Sequence, residues 1–229
     1  MNILRIGHRG SKGYVAENTL ESINHAILLG VDGIEIDVFK CLSGELVLSH
    51  ENNLKRLTGK SGQLEKLTLG ELKKFLVVGK YKIPTLTDVL KTIETPLFVN
   101  IELKGLNTAQ ATSKIITNLS KSTSWRLENF IISSFNWNEL EQFRSIDKNT
   151  PVGVLVSNSM SINKAIKFGK KINAQAIHPN FKLLNEKTVK KIKNNGFKIY
   201  TWTVNSKDDI NYMKKFKVDG IISDFPDKI

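Results

Sequence analysis

A histidine–arginine pair near the start of the chain carries side chains that could do phosphate chemistry. His8 and Arg9 are adjacent in a sequence with only four histidines, and His50 ends the apolar stretch ELVLSH. Imidazole titrates near neutrality, so two histidines can form an acid/base pair. The planar guanidinium of arginine suits two-point binding of phosphate. The pattern predicts that His8 and His50 transfer protons beside a phosphate held by Arg9.

Three carboxylates accompany these residues. Glu35 and Asp37 in GIEIDV are two positions apart, and alternate residues of a strand share one face. Glu102 in NIELKG shows the same alternation, together with Lys104. Buried carboxylates are costly unless they are paired or bind a cation. The pattern is compatible with a structural ion-pair network, but it favours one divalent metal ion, Mg²⁺ or Ca²⁺. Zinc is disfavoured because the first strand has no H-x-H.

Several further residues have two interpretations. Glu17 precedes the first predicted helix, where Asn18 or Thr19 could be the N-cap; Glu17 could anchor Arg9 or a histidine. Trp202 ends the seventh predicted strand, where it could pack against a polyol or seal the barrel top. His178 ends the strand before it and could be either a mouth residue or a structural one.

The elements that must position these residues alternate between short apolar runs and amphipathic stretches of helical period. An open doubly wound sheet is the main rival, but no G-x-G-x-x-G follows the first strand. Eight strand–helix alternations in 229 residues favour a parallel (β/α)₈ TIM barrel, whose active site lies at the carboxyl ends of the strands. The predicted strands span 3–7, 33–38, 97–103, 130–134, 152–156, 176–178, 198–202 and 220–223.

One segment interrupts the alternation after the second strand. It contains a predicted hairpin (DVFKCLSGELVLSHE), turn-rich residues and helices near 69–77 and 87–94. We interpret residues 51–84 as a small insertion over the barrel mouth. The whole chain, 1–229, is predicted to be a single domain.

Composition excludes several classes of protein. The formal net charge is +12, but the lysines are scattered and not interleaved with aromatic residues, which disfavours a nucleic-acid platform. No stretch approaches the ~20 apolar residues of a membrane span, so stable membrane insertion is not expected. The single cysteine allows no internal disulfide, and no secretory signal is recognisable. We therefore expect a cytoplasmic protein with a small-molecule partner; its oligomeric state is left open.

Taken together, these motifs resemble the glycerophosphodiester phosphodiesterase family. The matching pieces span nearly the whole chain in the family's order: GHRG, ENTLES, GVDGIEIDV, LVLSHE, LTLGEL, IPTL, IELKG, TWTVN and DGIISDFPD. The resemblance implies a TIM barrel that hydrolyses glycerophosphodiesters to glycerol 3-phosphate and an alcohol, within lipid and glycerol metabolism.

The resemblance also implies roles for individual residues. A divalent metal would bind to the three carboxylates, with the two histidines as acid and base. Arg9 and Lys104 would face the phosphate, and Trp202 would line the glycerol pocket. The sequence departs from the family after the second histidine, where Glu51 replaces the usual aspartate, and in the hairpin turn, which reads Leu-Ser-Gly.

The nucleophile and the substrate leave alternatives open. No side chain is an obvious attacker, which leaves water or the substrate's own 2-hydroxyl, and the latter would pass through a cyclic phosphate. One rival activity is phospholipase D-like or lyase chemistry on lysophospholipid headgroups. A second rival is a non-enzymatic phosphodiester-binding module; such a protein would be expected to lack a histidine or a metal ligand.

Overall fold

Eight parallel strands close into a barrel in the computed structural model, which describes residues 3–157 and 160–229. This confirms the predicted (β/α)₈ TIM barrel. The barrel strands are β1 (Leu4–His8), β2 (Gly33–Lys40), β6 (Phe98–Leu103), β7 (Phe130–Ser134), β8 (Val152–Val156), β9 (Ala176–Pro179), β10 (Lys198–Thr201) and β11 (Gly220–Ser223).

The first strand closes the barrel by pairing with both β2 and β11. Its register places His8 opposite Glu35. The pairing of β2 with β6 places Asp37 opposite Glu102. These two registers bring the histidine and the three carboxylates to one end of the barrel, the carboxyl ends of the strands.

Helices cover the outside of the barrel, and most begin at a side-chain N-cap. Thr19 caps the first helix by accepting a hydrogen bond from the backbone of Ser22. The helices are α1 (Leu20–Leu28), α4 (Leu86–Thr92), α5 (Ala109–Ser122), α6 (Trp137–Ile146), α7 (Ile162–Lys171), α8 (Glu186–Asn194) and α9 (Lys207–Lys215). No helix among the described residues is both long and apolar enough to span a membrane.

Strand β2 shows how the alternation divides the core. Ile34, Ile36 and Val38 are fully buried and belong to the main cluster between sheet and helices. The intervening Glu35 and Asp37 occupy the opposite, interior face. A smaller apolar cluster, including Ile6 and Tyr200, fills the barrel interior below them.

The segment after β2 forms a small layer with its own apolar core. It starts with a hairpin between β2 and β3 (Leu46–Leu48). It continues with α2 (Lys55–Thr58), α3 (Leu69–Leu72) and a hairpin of β4 (Leu76–Val77) with β5 (Tyr81–Lys82). Leucines of this segment pack against Phe39 and Val47 of the β2–β3 hairpin.

The predicted helix over 69–77 was too long. It ends at Leu72, and the chain then enters the β4–β5 hairpin. Val78 and Gly79 have positive φ angles of 45° and 72°, so they form a turn that a helix cannot accommodate. The predicted helix over 87–94 is shifted by one or two residues, to Leu86–Thr92.

Candidate active site

The three carboxylates meet at the carboxyl end of the barrel, where β2 and β6 run side by side. Glu35, Asp37 and Glu102 are all buried, and each offers an oxygen within 4.8 Å of the others. Burial and the neighbouring carboxylates raise the pKa of Glu35 well above its usual value. The same causes raise the pKa of Glu102 to about 7. Three acids in one place therefore destabilise each other's charged forms.

These residues could hold a metal ion. The Oδ1 atom of Asp37 has no hydrogen-bond partner among the described residues although it is buried. Carboxylate oxygens without protein donors are the ligands that hard cations prefer. A divalent cation would also offset the mutual repulsion of the three acids. The residues present thus fit the metal that the sequence predicts.

Arg9 holds two of these carboxylates in place from the loop after β1. Its backbone N–H donates to Glu35 Oε2 at 3.0 Å, and its Nε lies 3.2 Å from Asp37 Oδ2. Its Nη1 donates to Glu17 Oε1 at 2.7 Å. Gly10 allows this tight loop, because a Cβ there would lie 2.5 Å from Ser22 Oγ. In this structure the guanidinium of Arg9 therefore binds carboxylates, a role that adds to the predicted binding of phosphate.

The three residues of the ENT motif have three separate functions. Glu17 is the anchor of Arg9, and the N-cap is Thr19. Asn18 is not the cap: its φ of 56° turns the side chain onto Asp37. Its Nδ2 donates to Asp37 Oδ2 at 2.9 Å, and its Oδ1 accepts from the Asp37 backbone. Asn18 is thus a supporting residue that the sequence analysis missed.

His8 is oriented by a residue near the opposite end of the chain. Its Nδ1 lies 2.5 Å from Asp224 Oδ1, and its Nε2 lies 3.9 Å from Glu35. Asn205 donates to Asp224 Oδ2 and accepts from the Asp224 backbone. Burial lowers the pKa of His8, and the Asp224 bond partly counteracts this effect. Asn205 and Asp224 belong to the motifs TWTVN and DGIISDFPD. The sequence alone did not predict that either residue contacts His8.

His50 faces the same cavity from the loop after β3. Its ring is partly exposed, and its Nδ1 lacks a hydrogen bond within the described chain. Burial, with the nearby charges of Arg9 and Lys104 contributing, lowers the pKa of His50 to about 4. Its neighbour Glu51 accepts a hydrogen bond from Arg56 Nε at 2.7 Å. The residue that departs from the family pattern thus forms an ion pair within the inserted segment.

Lys104 and Trp202 both contact Phe135. Lys104 Nζ is 3.0 Å from Glu102 Oε1 and stands over the ring of Phe135 at 5.8 Å. The Trp202 indole donates to the His178 carbonyl oxygen at 2.8 Å and contacts Phe135 edge-on. Trp202 therefore has one polar atom fixed in the barrel wall while its ring borders the cavity.

One small cavity, of about 80 Å³, joins most of the predicted site residues. Its lining includes His8, Arg9, Glu35, His50, Glu102 and Trp202, with Asn100 and Phe135 as additions. Asp37 and Glu17 contact Arg9 of this lining, and Lys104 contacts Glu102. His178 lies outside the lining: it is fully buried, and neither ring nitrogen has a hydrogen-bond partner among the described residues.

Comparison with known proteins gives a consistent result. A sequence profile of the Glycerophosphoryl diester phosphodiesterase family matches residues 8–228. A glycerophosphodiester phosphodiesterase of Caldanaerobacter subterraneus subsp. tengcongensis is 32% identical over 238 residues, covering 100% of this chain and 97% of the relative.

Solved structures agree with the sequence relatives. A glycerophosphodiester phosphodiesterase from Thermotoga maritima matches with a TM-score of 0.84 and 29% identity, over 99% of this chain and 97% of that one. A phosphodiesterase from Oleispira antarctica, in complex with the product sn-glycerol-3-phosphate, matches with a TM-score of 0.88 and 27% identity. That match covers 98% of this chain and 94% of the other. The similarity therefore extends over nearly the full length of each protein.

Proposed function

Because the chain belongs to the glycerophosphoryl diester phosphodiesterase family, we propose that its site hydrolyses glycerophosphodiesters to glycerol 3-phosphate and an alcohol, with two histidines as acid and base. The observation that carries this proposal is the single cavity shared by His8, His50, Arg9 and two of the three buried carboxylates. Around one phosphate, these groups can supply acid/base catalysis, charge neutralisation and a metal site. The complexed product of the Oleispira phosphodiesterase supports the same class of substrate.

Glu35, Asp37 and Glu102 hold one divalent cation, Mg²⁺ or Ca²⁺, in this proposal. When bound, the cation supplies positive charge beside the phosphate and makes phosphorus easier to attack. The free oxygen of Asp37 and the raised pKa values of both glutamates support a cation at this place.

His8 acts as the base. Its Nδ1 is engaged by Asp224, so its Nε2 presents a lone pair to the cavity. The Asp224 carboxylate stabilises the imidazolium that forms when Nε2 takes a proton, as in other carboxylate–histidine pairs. The lowered pKa of His8 keeps the ring neutral and ready to accept a proton at neutral pH.

His50 acts as the acid for the leaving alcohol. Without substrate its low pKa leaves it neutral. A bound phosphate would place negative charge beside the ring and favour its protonated form. Arg9 and Lys104 bind the remaining phosphate oxygens, and the Trp202 ring packs against the glycerol carbons.

The substrate's own 2-hydroxyl is the nucleophile. Its oxygen attacks phosphorus while His8 Nε2 takes its proton, the bond from phosphorus to the alcohol oxygen breaks, and His50 protonates the alcohol. A cyclic phosphate remains, and water then opens it with the two histidines in reversed roles. Attack within one molecule is favoured because effective molarities reach ~10⁵–10⁸ M. Among the described residues that line the cavity there is no serine or cysteine, which supports this route. Within the proposal the protein works in the cytoplasm.

One experiment tests the reaction, the metal and the histidines together. Release of glycerol 3-phosphate from a panel of glycerophosphodiesters, and of choline from lysophosphatidylcholine, is measured with and without EDTA. We expect turnover of the small diesters only, its loss in EDTA, and its recovery with Mg²⁺ or Ca²⁺. His8→Ala and His50→Ala should each reduce kcat by ~10²–10⁴-fold. The control His25→Gln, on α1 outside the cavity, should retain activity.

Distinct outcomes would contradict distinct parts of the proposal. Unchanged turnover in EDTA, with no divalent binding by calorimetry, would reject the metal site. Turnover of lysophosphatidylcholine above the small diesters would favour the lysophospholipid rival. Rapid cleavage of a 2-deoxy substrate would show direct attack by water and would remove the cyclic phosphate.

A further inference from the structure

A second cavity, of about 710 Å³, lies at the end of the barrel opposite the active site. We call it the basal cavity. It is formed by the first residues of β1 and β10, by the residues just before β11 and by the last turns of α8 and α9. Four of its lining residues are exposed lysines, and the only lining carboxylate is that of Asp219. The lysines are Lys193, Lys198, Lys214 and Lys217. The cavity is therefore strongly cationic.

The positive charge of the basal cavity is not neutralised by the protein. None of the four lysines forms an ion pair with a carboxylate within the part of the chain that the structure describes. Lys193 Nζ donates to the Lys217 carbonyl oxygen. Asp219 is engaged elsewhere, because its Oδ2 accepts from the Ile199 backbone at 2.9 Å. Three ammonium groups thus remain available to an occupant.

Helix electrostatics explain only part of this cluster. Lys193 and Lys214 lie in the last turns of their helices, where a cation stabilises the helix dipole. Lys198 and Lys217 lie beyond the helices. Lys217 occupies the position after the C-cap of α9, where glycine is usual, and has a φ of 52°. At the equivalent position after α8 the chain has Gly196, which also has a positive φ. The helix dipole does not account for the charge at Lys198 and Lys217.

Tyr200 adds a hydrogen-bond donor to the same cavity. It lines the cavity at 4% exposure, and its ring packs between Phe98 and His178. Its hydroxyl makes no hydrogen bond with any described residue. Burial and the nearby Asp219 raise the pKa of Tyr200 to about 12, so the hydroxyl stays protonated. A hydroxyl donor with no protein partner among the described residues, beside free ammonium groups, suits an anion site.

We propose that the basal cavity binds a small anion carrying two or more phosphate groups, held by Lys198, Lys214 and Lys217 and by the Tyr200 hydroxyl. The cavity volume lies within the ~300–1,000 Å³ of small-molecule sites. Four lysines against one aspartate match a multiply charged anion better than a single phosphate. The site lies across the barrel from the catalytic residues, so it is a second site and does not depend on the proposed function. Soluble polyphosphates and bisphosphorylated lipid headgroups share this chemistry.

Calorimetric titration of the full-length protein with inorganic pyrophosphate, in metal-free buffer, tests the proposal. The double variant Lys198→Glu/Lys217→Glu should lose at least ~10-fold in affinity, as expected when several charge contacts are reversed. The control Lys121→Glu/Lys148→Glu changes two exposed lysines elsewhere and lowers the net charge by the same amount. It should bind within about twofold of wild type. Tyr200→Phe should weaken binding by about threefold to tenfold.

Two further measurements complete the test. Glycerophosphodiester turnover should be unchanged in the Lys198/Lys217 variant, because neither lysine belongs to the catalytic machinery. Sedimentation with cardiolipin-containing vesicles, displaced by pyrophosphate, would identify a lipid headgroup as the source of the anion; no sedimentation would identify a soluble anion. Equal pyrophosphate affinity in both double variants, or no binding by the wild type, would overturn the proposal.

Discussion

His8 depends on Asp224, a residue 216 positions away in the chain, for its orientation. The contact exists only because β1 pairs with β11 and closes the barrel. Asn205 holds Asp224 through two hydrogen bonds, so the carboxylate has little freedom to turn away. The pKa of Asp224 is nevertheless low, at about 2. Burial alone would raise it; the hydrogen bond from His8 is the largest opposing cause.

Asp224→Asn should therefore reduce kcat much more than it changes KM. The amide cannot stabilise the imidazolium and can impose the wrong tautomer on His8, for which a loss of ~10²–10⁴-fold is expected. Steady-state kinetics on one small diester, over a range of pH, provide the measurement. The control is Asp227→Asn, whose carboxylate accepts from Tyr14 at the surface. If Asp224 had a purely structural role, Asp224→Asn would instead lower the melting temperature. The kcat and the pH profile of the folded protein would then be unchanged.

The residues that could be foreseen at this scale share a property: their function depends on local spacing. The alternation in the sequence predicts that Glu35 and Asp37 share one face of a strand, and that His8 lies at the end of a strand. Asn18 and Asp224 could not be foreseen from spacing. Asn18 acts through a positive φ, and Asp224 acts through the closure of the barrel. Neither the positive φ of Asn18 nor the contact made by barrel closure can be predicted from the neighbouring residues in the sequence.

At the scale of elements, Arg56 connects the segment after β3 to the residues that hold Arg9. Arg56 of α2 donates to both oxygens of Glu17, at 2.8 and 3.2 Å, and to Glu51 at 2.7 Å. Glu17 in turn accepts from Arg9. These two arginines lower the pKa of Glu17 to about 2 despite its burial. The position of the inserted layer is thus coupled to the guanidinium that holds the carboxylates.

Arg56→Gln should loosen this layer and change substrate choice. The hydrogen bonds to Glu17 are charge-assisted, but Arg56 is nearly half exposed, so we expect a loss of only ~1 kcal/mol in the free energy of unfolding. Barrel-mouth loops set specificity, so the ratio of kcat/KM between diesters with different alcohols should shift more than any single kcat. Urea unfolding and kinetics on two diesters measure both effects.

Arg56→Lys is the matched control for this prediction. It keeps the charge but cannot reach both oxygens of Glu17 with a planar fork. It should lie between wild type and Arg56→Gln in stability and in substrate ratio. Identical substrate ratios in all three proteins would show that the inserted layer does not communicate with the site through Glu17.

The same segment shows where element prediction fails. Periodicity predicted a helix through residue 77, but the left-handed Val78 and Gly79 form the turn of a hairpin. The hairpin is short and pairs only Leu76 and Val77 with their partners. Apolar residues at helical spacing cannot distinguish a helix from a helix followed by such a strand. The regular barrel strands, in contrast, were found to within a residue or two.

At the scale of the whole molecule, the barrel has two chemically different ends joined by a packed interior. His178 lies in that interior, where Gly153 makes room for it: a Cβ on residue 153 would lie 2.2 Å from the imidazole Nε2. The ring packs edge-on against Tyr200 at 5.2 Å, and the His178 carbonyl oxygen holds the Trp202 indole. His178 therefore connects the wall of the active site with the floor above the basal cavity. The sequence left open whether His178 is a mouth residue or a structural residue. In the structure it is fully buried in the barrel interior, which corresponds to the structural role.

His178 should make the stability of the protein fall with decreasing pH. Burial lowers its pKa in the folded protein to about 3, whereas in the unfolded chain the value is near 6.5. Between these values the unfolded chain binds a proton that the folded protein does not, so the free energy of unfolding rises with pH. This contribution is complete above pH 6.5 and is lost as the pH falls, at up to ~1.4 kcal/mol per unit. The free energy of unfolding, measured with urea at pH 7.0 and at pH 5.0, should therefore differ by ~2 kcal/mol from this residue alone.

His178→Leu fills a similar volume without titrating. Its loss of stability over the same pH interval should be smaller by that amount, whatever its absolute stability. His25→Leu, which removes a partly exposed histidine of α1, controls for the removal of any histidine. If the wild type and His178→Leu lost stability in parallel, the buried ring would have to gain its proton without unfolding, and the packing around Gly153 and Tyr200 would have to admit water.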